Sequence, residues 1–572
     1  MNNLEPFYET PVIANLKDML EQSVIKYENN DAFRIKDKEG SYYGISYKKL
    51  KDDVDALGTA FITLGLLGER VAVMGQNSYN WCVSYLATIC GNGVVVPIDK
   101  ELPMNDIANI LNVSEAKAIV FSGKHLKDLV DIKSDLNPDL IMINMDNFED
   151  SKYESILNFY TLVDRGREML ANGDTTYSQV QIDAESMKFL LFTSGTTGMA
   201  KGVMLCHRNI CANIMSVSQV VKVEETDSTL SILPLHHTYE CTLGFLLIIY
   251  HGGCISFCEG LKYISKNVNE VKPSVLISVP LLLENIHSKI MDKVSKTSGG
   301  KLKLKFGITL TKTAKLFGKD IRKKIFKDIH DSLGGRLRMV ISGAAAISPT
   351  VVRDFTTFGF RILQGYGLTE CSPLLVGNND RFVVYDSIGL PIPGVNVKIV
   401  NEDAHGIGEI IARGANIMLG YFNDKESTDK VLKDGWFYTG DLGNKDKDGF
   451  FRITGRSKNV IVTKNGKNIY PEEVELYLND NPLIHESLVW GDLKEHTDDT
   501  TVSAHVFPNI DAIKEKLGIV SITADDIRKA ISEVIKEVNK KLPLYKNIKK
   551  FDIRENEFIK TTTKKIKRYI HK

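Results

Sequence analysis

Between Thr193 and Gly202 the chain reads Thr-Ser-Gly-Thr-Thr-Gly-Met-Ala-Lys-Gly, directly after the apolar run Phe189-Leu190-Leu191-Phe192. Gly195, Gly198 and Gly202 let backbone amides approach an anion closely and tolerate positive φ. Thr193, Ser194, Thr196 and Thr197 add hydroxyl donors, and Lys201 adds a mobile positive charge. Together these residue types make a phosphate cradle. It differs from a P-loop, which places four residues between its glycines and then Gly-Lys-Ser/Thr. Here Lys201 stands between Ala200 and Gly202, and no hydroxyl follows it to hold Mg²⁺. A metal must be bound elsewhere.

The string Gln364-Gly365-Tyr366-Gly367-Leu368-Thr369-Glu370 offers that place. Tyr366 presents a flat face on which a purine can stack. Thr369 can donate to a phosphate, and Glu370 is the hard oxygen ligand that Mg²⁺ prefers. A third string, Trp436-Phe437-Tyr438-Thr439-Gly440-Asp441, carries a carboxylate able to accept from both hydroxyls of a ribose. Taken alone, Asp441 reads as a structural aspartate in a turn. Residues 463–471, around Gly466, read unaided as a surface turn. From Lys546 onward ten Lys or Arg face three Asp or Glu, which predicts a basic, solvated tail.

These groups need a frame to hold them, and 572 residues are too many for one hydrophobic core. The first half alternates helical and strand periods. Leu16, Met19, Leu20, Val24 and Tyr27 fall at helical spacing, as do Tyr47, Leu50, Val54, Leu57 and Phe61. Buried strands are expected at 70–74, 94–97 and 118–121, with helices over 79–89 and 107–111 between them. Such β/α alternation predicts parallel sheets covered by helices. Residues 291–338 are lysine-rich and read as helix with a solvated face, interrupted by Ser298-Gly299-Gly300. From Lys458 the texture changes to short strands around one helix, capped at Thr523. The fold class is therefore α/β: a large N-terminal domain of helix-flanked β-sheets over 1–457, and a small mobile α+β C-terminal domain over 458–572.

Composition narrows the partners. With 43% hydrophobic and 25% charged residues the chain is that of a globular protein, and zero formal net charge argues against nucleic acid. Eight cysteines with no CxxC pair suit a reduced, cytoplasmic setting. No basic-then-apolar start marks a signal peptide. The longest apolar stretch, Leu243 to Tyr250, is far short of the roughly 20 residues that span a bilayer. Peripheral contact with the inner face of the membrane stays open, through the basic stretch 301–338.

The Ser-Gly-Thr-Thr-Gly…Lys-Gly string resembles the signature of the adenylate-forming (AMP-binding) enzymes: acyl-CoA synthetases, luciferases and peptide-synthetase adenylation domains. At least five motifs occur in that superfamily's order, over nearly the whole chain. The layout most resembles long-chain fatty acyl-CoA synthetases. The resemblance implies that Gly343, Ala344 and Ala345 form the turn beside adenine. Thr369 then meets the α-phosphate and Glu370 binds Mg²⁺, while Asp441 grips the ATP ribose and Arg456 contacts ribose or phosphates. It makes Lys458 a hinge and puts Gly466 along the CoA pantetheine channel. The ending Lys560-Thr561-Thr562-Thr563-Lys564-Lys565-Ile566-Lys567-Arg568 resembles the family's Thr-x-Gly-Lys-Ile-x-Arg, whose lysine meets the carboxylate and α-phosphate. Lys564 stands where the family has glycine, so Lys564 and Lys565 compete; the spacing to Ile566 and Arg568 favours Lys565.

In the segment Leu233-Pro234-Leu235-His236-His237-Thr238-Tyr239-Glu240 the resemblance puts His237 at the gate beside the carboxylate. Thr238 stands where amino-acid-activating relatives carry aspartate, which disfavours an amino-acid substrate, although Glu240 lies close by. The residues 243–247 and 279–283 are equally readable as tunnel lining or core. The implied activity is ATP-dependent formation of a fatty acyl-AMP, then of its CoA thioester, with ATP, CoA and Mg²⁺ as co-substrates and cofactor. Alternatives are a fatty acyl-AMP ligase loading a carrier protein, a ligase for an aryl or medium-chain carboxylate, or a non-catalytic nucleotide or lipid sensor.

Overall fold

A computed structural model describes residues 5–146, 153, 155–193, 201–297, 299–463, 467–493, 500–560 and 566–571. The chain forms two compact units, Met1–Asn396 with Ala412–Phe437, and Val397–Ile411 with Tyr438–Lys572.

The first unit holds two large sheets. One has eight strands, in the order Gly420–Tyr421, Lys201–Leu205, Phe189–Thr193, Val94–Ile98, Arg70–Met74, Ala118–Phe121, Ile141–Asn144 and Leu157–Asn158. Its inner strands are unbroken apolar runs because helices cover both faces, so no side of the strand meets water. The second has nine strands, and the six from Arg361–Gly367 through Met339–Ser342, Val275–Ser278, Ser228–Ser231 and Cys254–Phe257 to Asp31–Lys36 pair in parallel. The helices Leu16–Tyr27, Tyr47–Thr63 and Tyr79–Cys90 each start at a side-chain cap, on Asn15, Ser46 and Ser78, which satisfies amides the helix leaves unpaired.

Residues 243–247 belong to the core: a π-helical turn Glu240–Leu246 runs into Leu247–Tyr250, and every residue of both is buried. The second apolar run divides. Leu283 is buried at the start of the helix Pro280–Lys296, whereas Leu281 on the same turn is exposed.

In the second unit the antiparallel strands Ile484–Leu493 and Thr500–Pro508, with Lys550–Ile553 added in parallel, carry the helices Pro471–Asn479 and Ala524–Lys541. Ala530, Ile531, Val534, Ile535 and Val538 line one face of the second helix and pack on Val489, Val502, Ala504 and Val506. Thr523 caps that helix reciprocally with Asp526. The eight cysteines are all free thiols.

Candidate active site

The strands on either side of the phosphate-cradle string pair antiparallel, with Thr193 opposite Lys201 at their ends. Ser194, Gly195, Thr196, Thr197 and Gly198 lie outside the described residues. The arrangement departs further from a P-loop than the lysine spacing alone indicates, since the strand Lys201–Leu205, and not a helix N-terminus, follows the loop. Lys201 Nζ donates to Ser427 Oγ at 2.7 Å and lies 5.0 Å from the centre of the Tyr421 ring. Tyr421 reaches it from the edge strand Gly420–Tyr421, where it pairs with Val203.

The same tyrosine links two of the sequence motifs, because its hydroxyl donates to Glu370 Oε1 at 2.9 Å. Glu370 sits in the single 3₁₀ turn Thr369–Cys371, and both Thr369 and Glu370 are half-buried. The turn is held by amides from elsewhere in the chain. Met418 N donates to Glu370 O at 2.9 Å, Asn416 Nδ2 donates to the carbonyls of Cys371 and Leu374 at 3.0 and 2.9 Å, and Asn213 Nδ2 donates to Leu374 O at 2.8 Å. Glu370 is thus a fixed carboxylate, not a mobile one.

The strand before it, Arg361–Gly367, holds Gln364, Gly365, Tyr366 and Gly367. Gln364 turns its amide to Tyr385 O at 2.8 Å. Gly367 has a packing reason to be glycine, since a Cβ there would overlap the carbonyl oxygen of Pro373, just before the neighbouring strand Leu374–Gly377. In the next strand, Ser342 pairs with Gln364 on one side and Ser278 on the other. Ser231, Ser278, Ser342 and Gly367 therefore stand at the carboxyl ends of neighbouring parallel strands, where open α/β sheets receive ligands. Ala344, just beyond, adopts a left-handed φ of 71°, a conformation that costs a non-glycine residue about 1 kcal/mol and persists where surroundings impose it.

Tyr239 ties this turn to the His-His segment. Its hydroxyl donates to Ser278 O and Ile341 O at 3.1 and 3.0 Å, and its ring would meet any Cβ added at Gly343. Asn77 anchors the other end, donating to Ser231 Oγ at 2.9 Å and Leu233 O at 2.7 Å while accepting from Leu235 N at 3.0 Å. Between these anchors the rings of His236 and His237 lie 4.1 Å apart. Burial pushes His236 well below the usual imidazole range, although Asp99 Oδ2 is 3.6 Å from its Nε2; the ring is neutral and the pair is no salt bridge. Glu240 is fully buried and accepts from Ser231 Oγ at 2.6 Å. Desolvation raises its carboxyl to about 8, so near neutral pH it is mostly protonated.

In the second unit Asp441 lies in a long strand, Trp436–Lys445, and not in the turn its sequence suggests. Its register partner on the strand Phe451–Arg456 is Arg456, whose Nε is 2.7 Å from Asp441 Oδ1. Thr439 fixes the bend before it: Thr439 Oγ1 donates to Ile410 O at 2.7 Å and accepts from Asp441 N at 3.1 Å, while Arg456 Nη1 donates to Thr439 O at 3.2 Å. Lys458 lies in a 3₁₀ turn, Ser457–Asn459. The short strands Ile461–Val462 and Asn468–Ile469 pair antiparallel, with Ile461 opposite Ile469. Gly466, Lys564 and Lys565 lie outside the described residues.

A resident metal cluster does not fit: among the described residues no three His, Cys, Asp or Glu side chains converge. A lone fixed carboxylate does fit Mg²⁺, which is usually held by one or two carboxylates with substrate phosphates and water. Tyr421, Ser427, Tyr239 and Asn77 escaped the sequence reading. Each acts by position in space, and no local pattern marks any of them.

Residues 20–422 match the family described as AMP-binding enzyme. Among curated relatives, the peroxisomal long chain acyl-CoA synthetase 6 of Arabidopsis thaliana is 28% identical over 553 residues, covering 91% of this chain and 77% of its own. The long-chain-fatty-acid–CoA ligase of Escherichia coli O157:H7 is 29% identical over 506 residues, 83% of each chain. Among solved structures, an anthranilate CoA ligase in complex with anthranoyl-AMP superposes with a TM-score of 0.76 at 21% identity, covering 98% of this chain and 97% of its own. A benzoate CoA ligase from Burkholderia xenovorans LB400 gives 0.75 at 19% identity, covering 98% and 100%. At these identities the structural likeness speaks for the fold.

Proposed function

The chain belongs to the AMP-binding enzyme family, and from that premise we propose that it joins a long-chain fatty acid to CoA. The supporting observation is the fixed Glu370–Tyr421–Lys201 group at the strand ends, combined with full-length similarity to acyl-CoA synthetases. In the first step a carboxylate oxygen attacks the α-phosphorus of ATP, and pyrophosphate leaves as the acyl-AMP forms. The carboxylate is already a nucleophile, so no general base is required. In the second step the CoA thiol sulfur attacks the acyl carbon, AMP leaves, and the thiol proton passes to solvent.

Lys201 and Thr369 contribute charge and a hydroxyl to the phosphates, and Ser194 to Gly198 contribute loop amides. Glu370 would hold Mg²⁺, which when bound would neutralise polyphosphate charge. Tyr366 with Gly343, Ala344 and Ala345 takes the purine, Asp441 takes the ribose hydroxyls, and Arg456 keeps that carboxylate aimed. His237 borders the acyl carboxylate, Lys565 neutralises charge at the reacting centre, Lys458 is the hinge between the domains 1–457 and 458–572, and Gly466 leaves room for pantetheine.

The test is AMP release by the purified protein with Mg·ATP, across carboxylates from acetate to oleate, with and without CoA. CoA-dependent turnover that peaks with long chains is the expected result. Adenylate formation indifferent to CoA would replace the acceptor by a carrier protein. A maximum with aryl or medium-chain acids would replace the substrate class, and silence with every acid would overturn the reading.

A further inference from the structure

The lysine-rich stretch is more than a solvated polar face. The helix Gly300–Leu316 packs through Leu304, Gly307, Ile308 and Thr311 against a core that includes Phe326. Its opposite side carries large apolar side chains in water: Leu302 is 74% exposed, Phe306 70%, Leu310 39% and Leu316 86%, with Phe317 just past the helix end at 77%. At 100° per residue these five, with Thr309 and Thr313, fall within a sector of about 120°. Lys303 borders that sector on one side, and Lys301, Lys305 and Lys312 on the other. Over 17 residues the stripe runs about 25 Å.

Charge says what covers it. Residues 301–324 hold nine Lys or Arg and one carboxylate, Asp320, which Arg322 already pairs at 2.6 Å. Among the described residues, no lysine from 301 to 324 makes an ion pair. An apolar stripe flanked by unpaired lysines suits a surface that is greasy below and anionic above. Lysine stems can lie along the apolar side chains while the ammonium groups reach phosphates. No described helix is long and apolar enough to cross a membrane.

We propose that residues 300–324 are a docking face for an anionic lipid bilayer, with Leu302, Phe306, Leu316 and Phe317 entering the acyl boundary and the flanking lysines meeting headgroup phosphates. The inference rests on this helix alone and holds whichever carboxylate the enzyme activates.

Vesicle flotation of the full-length protein tests it, with phosphatidylcholine vesicles against phosphatidylcholine mixed with phosphatidylglycerol. The parent protein should float with the anionic vesicles at low salt and much less with the neutral ones. A K301E/K303E/K305E variant should bind at least about tenfold more weakly. An F306S/F317S variant, which keeps every charge, should lose a comparable factor. Both sets of side chains are exposed, so unfolding midpoints and far-UV spectra should match the parent. No flotation with anionic vesicles overturns the proposal, and so does a variant of either kind floating like the parent. An apolar variant that binds undiminished would leave only loose electrostatic attraction, and a stripe with no lipid to enter would point to a protein partner.

Discussion

Tyr421 donates its phenolic hydroxyl to Glu370 Oε1 at 2.9 Å across 51 residues of sequence, with the Lys201 ammonium 5.0 Å from the same ring. One side chain thereby ties together the carboxylate proposed for Mg²⁺ and the cation proposed for phosphate. Tyr421→Phe keeps the ring and removes only the donor. A hydrogen bond to a charged group contributes about 1.5 kcal/mol or more. The adenylation rate should therefore fall roughly tenfold, and half-maximal activity should need more Mg²⁺. Pyrophosphate release across a Mg²⁺ titration checks this, and an unchanged Mg²⁺ midpoint would remove Tyr421 from the positioning role.

Asp441 and Arg456 are register partners, and the arginine Nε lies 2.7 Å from Oδ1 of a nearly buried carboxylate. Asp441→Asn preserves shape while discarding the charge that pairs with the arginine and that the proposed ribose contact uses. Charge-assisted bonds are about twice as strong as neutral ones, so KM for ATP should rise by roughly tenfold or more, with kcat less affected. Initial rates at varied ATP decide it; a fall in kcat alone would shift Asp441 from nucleoside binding to a structural part.

Gly365 and Gly367 flank Tyr366 symmetrically in sequence and differ in space. An added Cβ at 367 overlaps the Pro373 carbonyl, which is backbone just before the paired strand, whereas at 365 it comes 2.7 Å from Leu374 Cδ1, the movable end of a side chain. Overpacking that cannot relax costs about 3 kcal/mol or more, and overpacking that can costs about 1. Gly367→Ala should lower the unfolding midpoint markedly and Gly365→Ala only slightly. Equal midpoints for the two variants would contradict the packing account.

The sequence exposed the parts that obey local rules. Residues 71–74 and 118–121 are apolar runs that stop where the strands stop, and Thr523 caps the helix it was expected to cap. The miss at Asp441 is instructive: Thr-Gly-Asp carries turn residues, yet the segment is strand because Thr439 Oγ1 bonds Ile410 O and Arg456 pairs opposite. Long-range hydrogen bonds outweighed propensity. Tyr421 and Asn77 were invisible for the same reason: what they do depends on a partner 51 or 154 residues away. The exposed stripe at Leu302, Phe306 and Phe317 was hidden differently, since sequence alone does not say which side of an amphipathic helix meets the core.

Glu240 gives a pH signature that belongs to the fold. Desolvation raises its carboxyl from the ordinary 4.5 to about 8, against the lowering effect of the bond from Ser231. In the unfolded chain the group ionises near 4.5, while in the folded protein it keeps its proton until about 8. The folded state therefore binds the extra proton between those values, and linkage makes stability fall as pH rises through that window. Below about 4.5 both states are protonated and the group's contribution is fully present; above about 8 it is lost. Glu240→Gln holds a neutral amide in the same space and cannot ionise in either state. The variant should match the parent near pH 5 and exceed it increasingly towards pH 8, by a margin on the order of a few kcal/mol. Unfolding midpoints of both proteins at several pH values between these limits measure the difference. Parallel slopes would mean that Glu240 titrates normally in the folded protein, and that the buried acid is reached by water.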